Sequence, residues 1–471
     1  MISHGTRRSF LEKASFLGAG SIIGTVTHAD TVSGMISKNN SDGNNPAPVC
    51  EVKKEIYVPS PEPKVGTSVS MTYIGRKLRR EEVRSLIRSS DWSDTVRRRI
   101  SVDNGRIWSD WELVYEQAPT QEDFTQEGGE SQHGTGPYDP VSNRLIKPVF
   151  QRIVKGDPQE AMKVLWSGNR LFCDHGFYQL SDDDGMTWGK ARQLKYEDGP
   201  DFDPDNWGAP DYFRTNEMYI GRVVTLRSGA VVISATIPVP YRDEEDEKIP
   251  SVFPNTYREG CVAGAICFIG RWNDSRRDYV WTTSKPVFLP RRLSTRGLVE
   301  LDLSELTNGN LLLIMRGSNT GLDPVECPGR KWFSVSSDGG LTWSEVKDIR
   351  YVTGEPLYSP ASISITIRSG KTGRLYWVGN IPDTPPDGNS PRYPLQIVEF
   401  DEEKPSFKKD TVTVIDDRNP DLDSEYLQLS NFSLLEDRET YAMELYLTRL
   451  GERGGGPDIW TANAYKYTLV F

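Results

Sequence analysis

Apolar residues in this chain come in short runs, and turn-forming residues punctuate them at close intervals. Residues 297–306 and 311–316 are two such runs, separated by Thr307-Asn308-Gly309-Asn310. Apolar runs on either side of a Gly- and Asn-rich tetrad predict a β-hairpin, since Gly and Asn accept the backbone angles of a tight reversal. The same pattern predicts strands at 218–226 and 230–237 around Ser228-Gly229, and at 361–368 and 375–380 around Ser369-Gly370-Lys371. It also predicts strands at 431–435 and 441–448 around Glu436-Asp437-Arg438, and at 161–166 and 176–180 with a turn at Ser167-Gly168-Asn169. Runs at 261–270, 331–335 and 393–400 add further strands, while 51–58 and the alternating 464–471 are the first and last. The arginine-rich stretch 76–99 reads as a short helix or a charged loop, and 242–248 as an acidic loop.

One turn recurs. Ser336-Ser337-Asp338-Gly339-Gly340-Leu341-Thr342-Trp343 has the form S-x-D-x-G-x-T-W, in which Ser and Asp oxygens can bond nearby amides and Gly permits a positive φ. Ser181-Asp182-Asp183-Asp184-Gly185-Met186-Thr187-Trp188 repeats it, as does Ser101-Val102-Asp103-Asn104-Gly105-Arg106-Ile107-Trp108 with Ile in place of Thr. The first two copies in chain order start 80 residues apart and the third a further 155 on, nearly two intervals. A strand-rich chain with a long repeat predicts radially arranged sheets, an all-β propeller, and the strand pairs count out to six blades. The two terminal strands are expected to share one sheet and so close the ring.

Composition supports this reading. Of 471 residues, 36% are hydrophobic and 26% charged, with 12 Trp, 20 Tyr, 41 Gly and 31 Pro, which favours short strands and turns over helices. A net charge of −11 and a pI near 5.2 argue against a general nucleic-acid surface, which needs clustered cations. Five Cys with no C-x-x-C leave at least one thiol unpaired, and Cys261 and Cys267 either pair or stay as buried free thiols. With only His133 and His175 beyond the N-terminal segment, a His-rich metal site is not expected. That segment has Thr6-Arg7-Arg8-Ser9-Phe10-Leu11-Glu12-Lys13 before an apolar run at 14–26, the pattern of a twin-arginine export signal ending at Ala29. The run is shorter than the roughly 20 residues of a membrane span. Residues 30–49 then read as a flexible linker, 50–471 as one closed domain, and the destination as periplasmic or extracellular.

With its three S-x-D-x-G turns, the chain resembles the sialidase (neuraminidase) superfamily, six-bladed propellers with Asp-box repeats. Sialidases open one strand with a glutamate in the pattern E-x-x-x-x-E-L-x-x-G, and Glu300-Leu301-Asp302-Leu303-Ser304-Glu305-Leu306-Thr307-Asn308-Gly309 fits it. Arg316 ends the returning strand, where the family has its second carboxylate-binding arginine, and Arg392 in Pro391-Arg392-Tyr393-Pro394-Leu395 matches the third. The family's tyrosine nucleophile has its nearest counterpart in Tyr426 of Ser424-Glu425-Tyr426-Leu427. No R-I-P supplies the first arginine; Arg152 in Gln151-Arg152-Ile153-Val154 and Arg222 in Gly221-Arg222-Val223-Val224 imitate it. The proton donor stays open between the acidic loop 243–247 and Asp211, and His175 is a candidate base for a lyase-like variant.

The resemblance implies a glycoside hydrolase that removes a terminal acidic sugar of the sialic acid type from a glycan or glycoconjugate. Glu300 would activate the nucleophile, the arginines would hold the sugar carboxylate, and no cofactor or metal is needed. Two alternatives share the fold: a hydrolase or lyase on another acidic polysaccharide, and a glycan-binding propeller without turnover.

Overall fold

In this chain the alternating and continuous apolar runs fold as antiparallel meanders, each strand pairing with the next in sequence. The structure, a computed structural model, describes residues 48–471 apart from 94, 117–118, 127–135, 166–168, 242 and 250–257. The expected export signal and nearly all of the linker lie outside the described residues, as do His133 and the turn at 167–168. Six sheets form the blades of a propeller. Blade one holds Gly66–Tyr73, Arg80–Ile87, Thr95–Ser101 and Glu112–Tyr115. Blade two is built on Arg144–Lys155, Phe172–Ser181 and Arg192–Gln193, with the short Phe124–Gln126 on the other side of Arg144–Lys155. Blade three runs through Tyr219–Thr225, Val231–Pro240, Cys261–Asn273 and Asp278–Thr283. Blade four follows with Val299–Glu305, Leu311–Arg316, Lys331–Ser336 and Lys347–Asp348. Blade five carries Ile365–Arg368, Leu375–Asn380 and Leu395–Asp401, and blade six Ser433–Glu436, Met443–Thr448 and Ala464–Val470.

The ring closes as expected: Glu51–Val58 lies antiparallel to Ala464–Val470, from Glu51 opposite Val470 to Val58 opposite Ala464. First strands of adjacent blades pack on one another, as Tyr219–Thr225 does on Val299–Glu305 and Gly66–Tyr73 on Ser433–Glu436. Apolar layers fill the spaces between blades. Leu303 and Leu313 of blade four, both at 0% exposure, meet Ala265 and Cys267 of blade three in one layer. A fully buried leucine of this kind contributes about 1.5–3 kcal/mol.

The three recurrent turns have one hydrogen-bond plan. Ser101, Ser181 and Ser336 each donate Oγ to Oδ1 of the Asp two residues on, at 2.8, 2.7 and 2.8 Å. Each serine Oγ also accepts from the amide of Gly105, Gly185 or Gly340, at 2.8, 2.8 and 2.9 Å. The amides of Ile107, Thr187 and Thr342 donate back to the Asp at 2.9 Å in every copy. Two left-handed residues in succession make the reversal: Asn104, Asp184 and Gly339 at φ 66, 58 and 75°, then the invariant-position glycines at 87, 82 and 98°.

Three expectations need correction, and the open choice for the cysteines is decided. The arginine-rich stretch holds two strands of blade one, Arg80–Ile87 and Thr95–Ser101, because its charges pair with one another and with neighbouring blades. Glu82, for example, is fully buried between Arg84 and Arg99. Residues 161–165 do not start a strand: Pro158–Leu165 is a helix, with Pro at its first turn and Asp157 Oδ1 accepting from the Glu160 amide at 3.0 Å. Within the acidic loop, Glu244–Glu247 forms one helical turn that Asp243 caps. All five cysteines are free, and Cys261 and Cys267 lie on one strand six residues apart, on the order of 20 Å, far beyond disulfide reach. Among the described residues no helix is long and apolar enough to cross a membrane.

Candidate active site

A cavity of about 550 Å³ opens where the six blades converge, and residues from every blade line it. Its centre is the hairpin of blade four. Val299 pairs with Arg316, but the ladder slips between Val299 and Asp302, and Glu300 sits in that bulge at φ 49°. A left-handed non-glycine residue in a bulge is strained by about 1–3 kcal/mol and re-aims its side chain out of the regular pleat. Glu300 Oε1 accepts from Arg316 Nη1 at 2.5 Å, while Oε2 is buried without a partner among the described residues. Arg316 Nη2 donates to Asn389 Oδ1 at 3.3 Å, and its Nε is also buried and unpartnered.

Arg392 enters from blade five. Its Nη2 donates to the Ala361 carbonyl at 2.9 Å, and its Nη1 to Gln428 Oε1 at 3.1 Å and Ser430 Oγ at 3.2 Å. Its Nε, like that of Arg316, has no partner among the described residues. Arg296 lines the same cavity. Burial, then the neighbouring charge of Arg316, pushes Arg392 down to about 10 and Arg296 down to about 9, so both stay cationic at neutral pH. Burial pushes the Glu300 carboxyl up, but Arg316 and Arg392 outweigh it and hold the group below its ordinary value, ionised.

The opposite wall is an ion quartet. Arg152 grips Asp174 with two bonds of 2.7 and 3.0 Å, and Arg170 reaches Glu217 at 3.0 Å and Asp174 at 3.8 Å. Arg152 Nη1 also donates to the Asp91 carbonyl at 2.8 Å, fixing a blade-one loop whose Asp91 has φ 59° and lines the cavity. Tyr219, the tyrosine among the described lining residues, packs edge-on to Phe150 at 5.7 Å. Burial, then the charge of Glu300, pushes its phenol up, so it stays protonated. Among the described residues no three His, Cys, Asp or Glu side chains group as a metal site would need.

Glu300, Arg316 and Arg392 thus share one cavity, and Arg152 joins them through its pairing with Asp174. Tyr426 and Arg222 do not. Tyr426 is 49% exposed, in a turn where the Leu427 amide bonds the Ser424 carbonyl, with its ring lying against Gly455. The bridge between Arg392 and Gln428 delivers Gln428 and Ser430 to the cavity instead. Arg222 Nη1 donates to Asp302 at 2.8 Å and to the Thr366 carbonyl at 2.6 Å, tying together the first strands of blades three, four and five. The proton-donor candidates also lie elsewhere, Asp211 on the helix Pro210–Arg214 and Asp243 paired with Arg292, and so does the candidate lyase base His175, buried and stacked on Tyr212 at 4.2 Å. Asp91, Arg170, Glu217, Tyr219 and Arg296 escaped the sequence reading. Only Asp91 had a local signal, the turn-forming string Ser89-Ser90-Asp91-Trp92-Ser93.

No protein-family model matches the chain, and no curated protein does. Among solved structures, a protein of unknown function from Dyadobacter fermentans superposes with a TM-score of 0.54 at 12% identity, over 89% of this chain and 99% of that one. The NanB sialidase of Streptococcus pneumoniae, in complex with a substituted ethanesulfonate, superposes with a TM-score of 0.50 at 12% identity, over 86% of this chain and 68% of that one. The chain therefore has the six-bladed β-propeller fold of the sialidases.

Proposed function

We propose that the chain is an exported, sialidase-like glycoside hydrolase acting on a terminal acidic sugar. One observation carries the reading: the Nε donors of Arg316 and Arg392 and the Oε2 acceptor of Glu300 are buried and unpartnered in residues of one cavity. Buried polar atoms are ordinarily satisfied, so a set of orphans at a cavity calls for a ligand that completes it. A carboxylate has two oxygens for the two arginines, through charge-assisted bonds. Glu300, ionised, is suited to take the proton of an attacking hydroxyl, either water or the Tyr219 phenol. As the sugar–oxygen bond breaks, the leaving oxygen needs a proton, and Asp91 is the lining carboxyl on the loop at blade one.

A second reading, a propeller that binds acidic glycans without turnover, is favoured by the position of Tyr426 outside the cavity and by the engagement of Arg316 with Glu300. The test is a fluorogenic sialoside together with a panel of uronate-containing polysaccharides, read for released sugar, reducing ends and unsaturated products. Hydrolysis that falls at least about a hundredfold in Glu300→Gln supports the first reading. Full turnover in that variant removes Glu300 from the mechanism, and binding with no product from any substrate favours the second reading.

A further inference from the structure

Three successive carbonyls are held by two buried basic side chains, one of them the Lys331 amine, which burial pushes down to about 7. Lys331 Nζ donates to Ser362 O and, at 3.4 Å, to Pro360 O, while Arg392 Nη2 donates to Ala361 O at 2.9 Å between them. Lys331 is 1% exposed and opens the third strand of blade four, directly opposite Arg316 in the ladder. A fully buried amine is costly unless its donors are used, and a methionine would fill the same space without that cost. Here the donors are spent on a segment with no regular secondary structure, residues 357–364 at the entry to blade five, whose other ties include the Ala361 amide on Gly388 O.

Arg392 is set on one side by Ala361 O and on the other by Gln428 and Ser430. The clamp on Pro360 and Ser362 decides where Ala361 O lies, and that carbonyl decides how the guanidinium plane is turned. We propose that Lys331 is a positioning residue of the cavity: it fixes the Pro360–Ser362 peptides, and through Ala361 O it sets the direction in which Arg392 presents its unpartnered Nε to an acidic ligand. The ligand class rests on the hydrolase reading above; the clamp on Arg392 rests on the contacts alone.

Calorimetry with N-acetylneuraminic acid and D-glucuronic acid, on wild type, Lys331→Met, Arg392→Ala and the double variant, tests the coupling. Lys331→Met is expected to weaken binding of the preferred acid about tenfold, and to add no loss in the Arg392→Ala background. Wild-type affinity in Lys331→Met, or losses that multiply in the double variant, would overturn the proposal. Should Lys331→Met fail to fold, Lys331→Gln, which keeps a donor, replaces it with the same criteria and an intermediate loss. Should wild type bind neither acid, the hydrolase reading fails by itself, and a crystal structure of the lysine variant decides about the clamp. An Arg392 still bonded to Ala361 O there refutes it; a released Arg392 with a shifted 360–362 segment supports it.

Discussion

Burial pushes the His175 imidazole down to about 4, against the opposing pull of Asp174 beside it. Among the described residues neither ring nitrogen has a hydrogen-bond partner, and the ring stacks on Tyr212, whose hydroxyl is likewise unpartnered there. The native chain therefore holds this histidine neutral, while the unfolded chain binds a proton below about 6.5. The stability that depends on neutral His175 is complete above pH 6.5 and is lost as pH falls toward 4, by roughly 3 kcal/mol in all. Urea midpoints measured from pH 7.5 to 4.5 should fall more steeply for wild type than for His175→Phe, which keeps a ring against Tyr212. Parallel curves would show that this histidine is not the acid-labile group. At this scale the site was partly legible in the sequence. Glu300 and Arg316 belong to one hairpin, and the Thr307-Asn308-Gly309-Asn310 turn sets their register, so spacing alone relates them. Arg170 and Glu217 meet only because separate elements pack together, and no local pattern records that. Tyr426 lies outside the cavity because the segment before blade six turns at Ser424, and Gln428 and Ser430 line the cavity instead.

At the level of elements, the recurrent turns set the ends of blade strands and were legible because each is a local hydrogen-bond circuit. The helix Pro158–Leu165 was missed although Asp157 and Pro158 are a start signal, since its apolar residues were read as a run ending at the turn Ser167-Gly168-Asn169. The turns also differ from ordinary hairpin tips in what surrounds them. Gly185 has φ 82°, and a methyl group there would lie 2.4 Å from Ile74 Cγ2 of blade one. Gly309, at the tip of the blade-four hairpin, has a similar φ of 87° and nothing within 4 Å. Gly309→Ala should cost only the left-handed backbone term, about 1–2 kcal/mol. Gly185→Ala carries the same term plus displacement of Ile74, and roughly 3 kcal/mol or more is expected. Chemical denaturation of both variants gives the comparison, and equal losses would mean that the turn is not wedged against its neighbouring blade.

For the whole molecule, ring closure is the step on which all six blades depend, because the cavity is completed only when blade one meets blade six. The terminal strand pair accounts for part of that closure. The rest is a buried charge cluster across the seam: Arg80 of blade one donates Nη2 to Asp437 at 2.5 Å and Nη1 to Glu444 at 2.8 Å, both on blade six. Its Nε reaches Asn104 Oδ1 at 2.8 Å, so the first of the recurrent turns is tied to the same seam. The Arg80 side chain is 4% exposed. Removing Arg80 leaves Asp437 without this counter-charge and Glu444, among the described residues, with Lys466 alone; breaking a buried pair costs about 3–5 kcal/mol, whereas an exposed pair would cost about 1 kcal/mol or less. Arg80→Met should therefore destabilise the chain by several kcal/mol, and it should do so unevenly. If the seam is where the ring opens, hydrogen exchange in this variant will quicken first in Glu51–Val58, Ala464–Val470 and Gly66–Tyr73, with Leu311–Arg316 on the far side of the ring protected much longer. Uniform acceleration in all six blades would mean instead that the propeller unfolds as one unit, and that the cluster at Arg80 contributes stability without defining where opening begins.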